Sequence, residues 1–287
     1  MASTTELLPP AAAAALASHL GVSPALRLGE QWAGATSTVV RWGGSLAVKV
    51  PHRDQQAIRA CLVHAQVSSA ARLLGVSAPE IVAVVDLDPI IGVPVIVSRF
   101  LPGHRLSPGR GTPQVWAAVG AEIRVLHRAS AAQMPPGLRS FTQTGDVDPR
   151  VLAERLRAAG RLSAGTAARL VRLADQLVDD VLPDLHPVLC HGDLHAGNVL
   201  AAAGRLVGIV DFAGAGWLDA AWDFVGVPLT AVPPMLDGYN AGAGEPDRLL
   251  ERVAWCRLQT AVHRLVDAED PETGASRALA EAEALRS

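Results

Sequence analysis

"HGDLHAGNVLAAAGRLVGIVDF", His191–Phe212, decides how this chain is read. The run "PVLC" before it is apolar and strand-like, yet the next eight residues hold two histidines, an aspartate and an asparagine. An extended backbone sets His191, Asp193 and His195 on one side, and that spacing resembles a metal cluster. No second His/Asp cluster of suitable spacing completes it, and a polar turn with capped backbone groups is the simpler use of such residues. The residues that follow point elsewhere. "VLAAAGRLVGIV" has the pattern of a hairpin, so its two ends return to one place. Those ends carry Asn198 and Asp211, one neutral and one anionic oxygen donor. Mg²⁺ takes few protein oxygens and fills its octahedron with water and phosphate oxygens. Asp193 then stands beside the ion without holding it, free to accept a proton from a hydroxyl nucleophile.

A catalytic-loop Asp, a catalytic-loop Asn and a metal Asp after a hairpin are the working parts of a kinase. That arrangement calls for a lysine on a strand of a small lobe, to hold phosphates. The chain has 24 arginines and a single lysine, Lys49, which lies in the strand-like "SLAVKVP". Residues 26–51 read as strand, glycine-containing turn and strand, with Gly43-Gly44 as a hairpin signal. Residues 54–74 read as a helix, followed by the strand-like runs "EIVAVVDL" and "GVPVIVSRF". "LPGHRLSPGRGTP" is the Pro/Gly-rich linker. Beyond it, "QVWAAVGAEIRVLHRAS" and "AGTAARLVRLADQLVDDVL" have helical spacing, 135–147 reads as loop, and the chain from Asp219 onward reads as helical, interrupted near 228–246.

"HGDLHAGNVL" followed by "IVDFAGAGWLDAAWDF" resembles the aminoglycoside phosphotransferase family of small-molecule kinases. "LAVKV", "VSRFLPG" and "VLHRAS" extend the likeness over most of the chain. The resemblance implies an α+β, two-lobed, protein-kinase-like fold: a small antiparallel sheet with one helix over residues 1–101, which binds nucleotide, and a larger, mainly helical lobe over 102–287. It implies ATP or GTP with Mg²⁺ as cofactors and a small hydroxylated acceptor as partner. Carried over residue by residue, Lys49 holds the phosphates, Asp193 is the base, and Asn198 and Asp211 hold the metal. His191 is structural, Asp223 buttresses the catalytic loop, and Asp219 opens the turn before it. Ser98, Arg99 and Phe100 form the hinge against the base, and Ser37 touches phosphate. Two departures stand out: Gln66 falls where the family has a glutamate to pair with the lysine, and Ala220 falls where proline is common.

Composition narrows the rest. A net charge of −3 offers no electrostatic case for nucleic acid or an anionic membrane. Three cysteines without a CxxC pair indicate neither a disulfide framework nor a thiolate zinc site. The N-terminus lacks the basic region of a signal peptide, its alanine run after Pro9-Pro10 reads as a helix, and no apolar run spans a bilayer. The expectation is a cytoplasmic protein with no membrane and no obligate protein partner. Charge is uneven, however: residues 211–287 carry a net −7. Asp237, Glu245, Asp247, Asp267, Glu269 and Asp270 read either as solvated helix surface or as the wall of a pocket for a polycation such as an aminoglycoside. Choline, homoserine and sugars are the alternative acceptors, and a nucleotide-binding relic without catalysis is the reading that Gln66 suggests.

Overall fold

The computed structural model describes residues 7–23, 27–107, 111–140, 148–181, 187–241 and 248–286. The alanine run forms helix α1 (Pro10–Leu20), opened by Pro10 in its first turn and closed by Gly21 in the left-handed region. The glycine-punctuated stretch after it resolves into three strands, β1 (Leu28–Ala33), β2 (Ser37–Trp42) and β3 (Leu46–Pro51). Helix α2 (Gln55–Leu73) starts where the Asp54 side chain accepts from Ala57 N–H. Strands β4 (Ile81–Val85) and β5 (Val95–Arg99) complete an antiparallel sheet in the order β1-β2-β3-β5-β4.

β3 is the central strand of this sheet, and its period of two decides what faces where. Leu46, Val48 and Val50 point into a core shared with α1, including Leu16 and Trp42. Ala47 and Lys49 point the other way, into the cleft. Cys61 and Ala65 of α2 pack on Ile96 of β5 across from Lys49. The far end of α2 leaves that layer, because Val67, Ala71, Val76 and Ala78 join the larger core of the helical part. Ser77 marks the joint: its backbone N–H and hydroxyl both donate to Glu122, and its carbonyl accepts from Ile209 N–H.

The helical part contains α3 (Pro113–His127), α4 (Pro149–Ala158), α5 (Ala164–Val181), α6 (Val232–Asn240), α7 (Leu249–Arg264) and α8 (Pro271–Ala284). Two short sheets hold the loops: β10 (Arg205–Ile209), β9 (Val199–Ala202) and β6 (His104–Arg105) in one, and β7 (Arg139–Ser140), β11 (Gly216–Leu218) and β8 (Val188–Cys190) in the other. α4 is a helix the hydrophobic pattern did not mark, although Asp148 caps it and Pro149 opens it. α6 lies inside the stretch read as interrupted, its two prolines tolerated because they fall in the first turn. Residues 141–147 of the expected loop lie outside the described residues. Among the described residues, no helix is long and apolar enough to cross a membrane.

The helix pair α3–α6 packs backbone against backbone. A Cβ on Gly120 would collide with the Met235 carbonyl, and one on Gly238 with the Ala117 carbonyl. Only glycine permits that approach. Gly238→Ala is therefore expected to cost about 1–3 kcal/mol through forced separation of the helices. Thermal unfolding should show a melting temperature lower by several degrees, and an unchanged Tm would refute the close-packing argument.

Candidate active site

The catalytic loop is held from below by one carboxylate. Asp223, wholly buried, accepts from His191 N–H (2.8 Å), Gly192 N–H (2.8 Å) and His127 Nε2 (3.0 Å). With Nε2 donating, the neutral His127 ring accepts the Tyr239 hydroxyl at Nδ1 (2.9 Å). Burial pushes the Asp223 carboxyl up, but these donors outweigh it and hold the group below the usual carboxylate range. The short segment that bears Asp223 is itself tied to α7. Arg252 pairs with Asp219 (3.2 Å), and one Arg257 nitrogen donates to the carbonyls of Phe224, Val225 and Val227.

His191 is fully buried and both ring nitrogens are committed. Nδ1 accepts from Asp193 N–H (3.3 Å), which leaves the proton on Nε2 to donate to the Val210 carbonyl (2.9 Å). It cannot ligate an ion with Asp193 and His195, so the three do not form the metal cluster that their spacing resembles. Among the described residues, the set of His, Cys or Asp/Glu atoms close enough to hold a metal is His127, Cys190 and Asp223. That set is the buried support just described, its carboxylate already filled by three donors. Gly192 has φ +77°, and a Cβ there would strike the Gly214 carbonyl. The loop and the segment after Asp211 thus touch through their backbones, a contact that only glycine allows at this φ.

Above this support the side chains open outward. Asp193 is 64% exposed, unlike its buried neighbours. Asn198, buried beside it, donates through Nδ2 to the Asp193 carbonyl (2.9 Å), which leaves Oδ1 as its oxygen donor. The hairpin closes as expected: Ile209 pairs with Val199, and Val210 N–H donates to the Asn198 carbonyl. Asp211, at φ +68°, takes up the left-handed conformation just beyond the hairpin. Its Oδ1 receives Lys49 Nζ at 2.6 Å across the cleft. Burial raises the Asp211 carboxyl, but the Lys49 charge and hydrogen bond more than offset this and its pKa lies below the usual range. One amide oxygen and one carboxylate suit Mg²⁺, which prefers few protein ligands beside water and phosphate.

Lys49 and Asp211 line a cleft of about 650 Å³, together with Trp32, Arg41, His64, Ser98, Arg99 and Phe100. The Phe100 ring stacks on Trp32 (6.0 Å between centroids) and lies under the Arg41 guanidinium (4.4 Å). The hinge differs in detail from the expectation. Phe100 N–H donates to Ser45 and Arg99 N–H to Glu80, so neither is available to a base. Among the described residues, the Leu101 N–H, next along this edge, donates to no backbone carbonyl. Ser37 also differs: it is 4% exposed, and its hydroxyl is engaged with buried Cys61. The exposed residues of that turn are Gly34 and Ala35.

Gln66 is exposed and does not face Lys49. The α2 residue that reaches the site is His64, overlooked in the sequence because nothing in its neighbourhood marks it. It is buried, and Nδ1 accepts from Phe212 N–H (3.2 Å), coupling the helix to the backbone after Asp211. The acidic residues of the C-terminal third turn out to be mostly structural. Asp270 caps α8, Glu272 accepts from Ser163 and Thr166 at the start of α5, and Glu281 pairs with Arg257. Asp237, Asp267 and Glu269 are exposed, while Glu245 and Asp247 lie outside the described residues.

The model of the phosphotransferase enzyme family, APH, matches residues 25–282. The chain belongs to that family. It is 35% identical over 107 residues to a hydroxyurea phosphotransferase from Kitasatospora aureofaciens, covering 37% of this chain and 30% of that protein. The match thus spans less than a third of the relative's length. The GDP complex of aminoglycoside 2′-phosphotransferase-IIIa superposes with a TM-score of 0.69 at 17% identity, covering 92% of this chain and 95% of that one. A macrolide 2′-phosphotransferase, MphH, from Brachybacterium faecium gives 0.62 at 21%, with 93% and 95% covered. A choline/ethanolamine kinase family protein from Mesorhizobium loti gives 0.61 at 24%, with 95% and 94% covered. At these identities the likeness is one of fold: two-lobed, α+β and protein-kinase-like.

His64 gives a pH signature. Burial, with the Lys49 charge, pushes its pKa down to about 3 from an ordinary 6.5. Between those values the unfolded chain binds a proton that the native chain refuses, so stability falls as pH drops below about 6.5, by up to ~1.4 kcal/mol per pH unit. His64→Gln, which keeps an acceptor for Phe212 N–H, should flatten the slope of unfolding free energy between pH 6.5 and 4 in urea titrations. An unaltered slope would clear His64 of the effect.

Proposed function

We propose that this protein is an ATP- or GTP-dependent, Mg²⁺-dependent phosphotransferase that moves the γ-phosphate to a hydroxyl of a small molecule. The observation that carries the reading is an exposed Asp193 on a rigidly supported loop, with Asn198 bonded to its carbonyl and Asp211 joined to Lys49. In this reading residues 1–101 form the nucleotide lobe and 102–287 the catalytic and acceptor lobe. The base lies between Trp32 and the hinge, reading the Leu101 N–H. Lys49 holds phosphate oxygens, and Asn198 and Asp211 hold the metal. A bound Mg²⁺ supplies charge neutralisation on the β- and γ-phosphates. Asp193 orients the acceptor hydroxyl and receives its proton as the bond to phosphorus forms. Most of the rate comes from positioning and charge, since the protein does little covalent work.

The relic reading loses its support, because Gln66 is on the outside of α2 and the lysine has Asp211 as its partner. For the acceptor, an aminoglycoside would be attracted by a wall of unpaired carboxylates. Of the residues read as such a wall, Asp270 caps α8, while Asp237, Asp267 and Glu269 are exposed but line no part of the cleft. That favours a small acceptor of low charge, and the likeness to a hydroxyurea phosphotransferase supports testing N-hydroxy compounds beside macrolides, choline, homoserine and sugars.

ADP release with Mg²⁺-ATP across such a panel tests the reading. Asp193→Ala should lower turnover by about 10²–10⁴-fold while nucleotide affinity stays near that of the unaltered protein. Asp211→Ala should weaken binding of the Mg²⁺-nucleotide itself. Normal turnover in both variants would remove the assignment.

A further inference from the structure

His195 is not needed by the chemistry assigned above, yet its geometry is closely determined. Its Nδ1 accepts Gly197 N–H at 3.0 Å, capping the short turn Ala196–Asn198. The ring lies close to Gly197, where a Cβ would come within 2.8 Å of Cε1. With Nδ1 an acceptor, the neutral ring carries its proton on Nε2. That nitrogen is 3.9 Å from Asp193 Oδ2, too far for a direct hydrogen bond. Both side chains open to solvent, at 43% and 64% exposure. An oxygen about 2.8 Å from each atom fits between them, at normal hydrogen-bond length to both. If it bears a proton, it can donate to the carboxylate and accept from Nε2–H while keeping a lone pair free.

We propose that His195 and Asp193 form a two-point cradle for the acceptor oxygen, so that His195 is a second catalytic residue beside the base. This rests on the phosphotransferase reading. In the step, the acceptor oxygen forms a bond to the γ-phosphorus. The bond from that phosphorus to the β–γ bridging oxygen breaks, and its electron pair leaves with the nucleoside diphosphate. The hydroxyl proton passes to Asp193 Oδ2, and His195 keeps its own proton throughout. The cradle takes any hydroxyl, of an alcohol or an N-hydroxy compound, and also water.

Because water fits, the test does not require knowledge of the acceptor. Basal hydrolysis of Mg²⁺-ATP and Mg²⁺-GTP by the full chain is compared among the unaltered protein, His195→Ala, His195→Gln and Asp193→Asn, with the Kd for Mg²⁺-ADP and Mg²⁺-GDP measured in parallel. His195→Ala should hydrolyse about ten-fold more slowly, a typical cost of losing one oriented contact, with Kd within about two-fold. His195→Gln, which retains an N–H donor, should recover most of the rate. Gly197→Ala, which displaces the ring without removing it, should resemble His195→Ala. A His195→Ala rate equal to that of the unaltered protein, while Asp193→Asn is inactive, would overturn the cradle and leave the phosphotransferase intact. Equal loss in the Ala and Gln variants would overturn it too, reducing His195 to packing. Absence of hydrolysis and of transfer in the unaltered protein would remove both readings.

Discussion

Asp223 is a carboxylate with no access to water, and such a group is tolerable only where donors replace its lost hydration. Two of the three donors are the backbone N–H groups of His191 and Gly192, so the price of burying the charge is met by fixing the loop. Everything exposed in the site hangs from that loop. Asp193 can remain open to solvent and still hold one position because the residues before it cannot move. The arrangement extends outward through His127 to Tyr239 on α6 and through Arg252 and Arg257 to α7. Helices far from the cleft therefore contribute to its geometry without touching a substrate.

A second constraint runs across the cleft. Lys49 belongs to the sheet and Asp211 to the hairpin of the helical part, and they meet at 2.6 Å. Beside them His64 binds the Phe212 N–H, so α2 is tied to the same segment by a neutral contact where a charged one is expected. The lysine then has its carboxylate partner on the hairpin, and phosphate or a cation entering the cleft must compete for both groups. Lys49 and Asp211 are thus held in place before any ligand arrives, which lowers the ordering that binding has to supply.

The catalytic segment was legible because its chemistry is local. Asp193, Asn198 and Asp211 lie within one loop and one hairpin, and pairing of β9 with β10 is sufficient to bring the metal donors together. Lys49 stood out by rarity and by the alternation of its strand. The helix α2 was harder. Its sequence, "QQAIRACLVHAQVSSAARL", has small and apolar residues on every side, so the pattern does not define which face is buried. Gln66 and His64 are about 200° apart on a helix, and the wrong phase puts a different residue at the lysine. The hinge missed by a similar margin: strands alternate, and a shift of one residue exchanges bonded N–H groups for free ones. Ser37 was assigned from its turn, but burial against Cys61 depends on how α2 packs.

By itself the sequence determined the α+β architecture and the hairpin that brings Asn198 and Asp211 together, because periodicity and short-range spacing carry that information. The destination of the acidic residues, the partner of Lys49 and the helix face that reaches the cleft were decided only by tertiary structure. Each depends on which groups from distant segments meet, such as Arg257 with Glu281 or Phe212 with His64. Such pairings reflect competition among all polar groups for burial and partners, and no local pattern records its outcome.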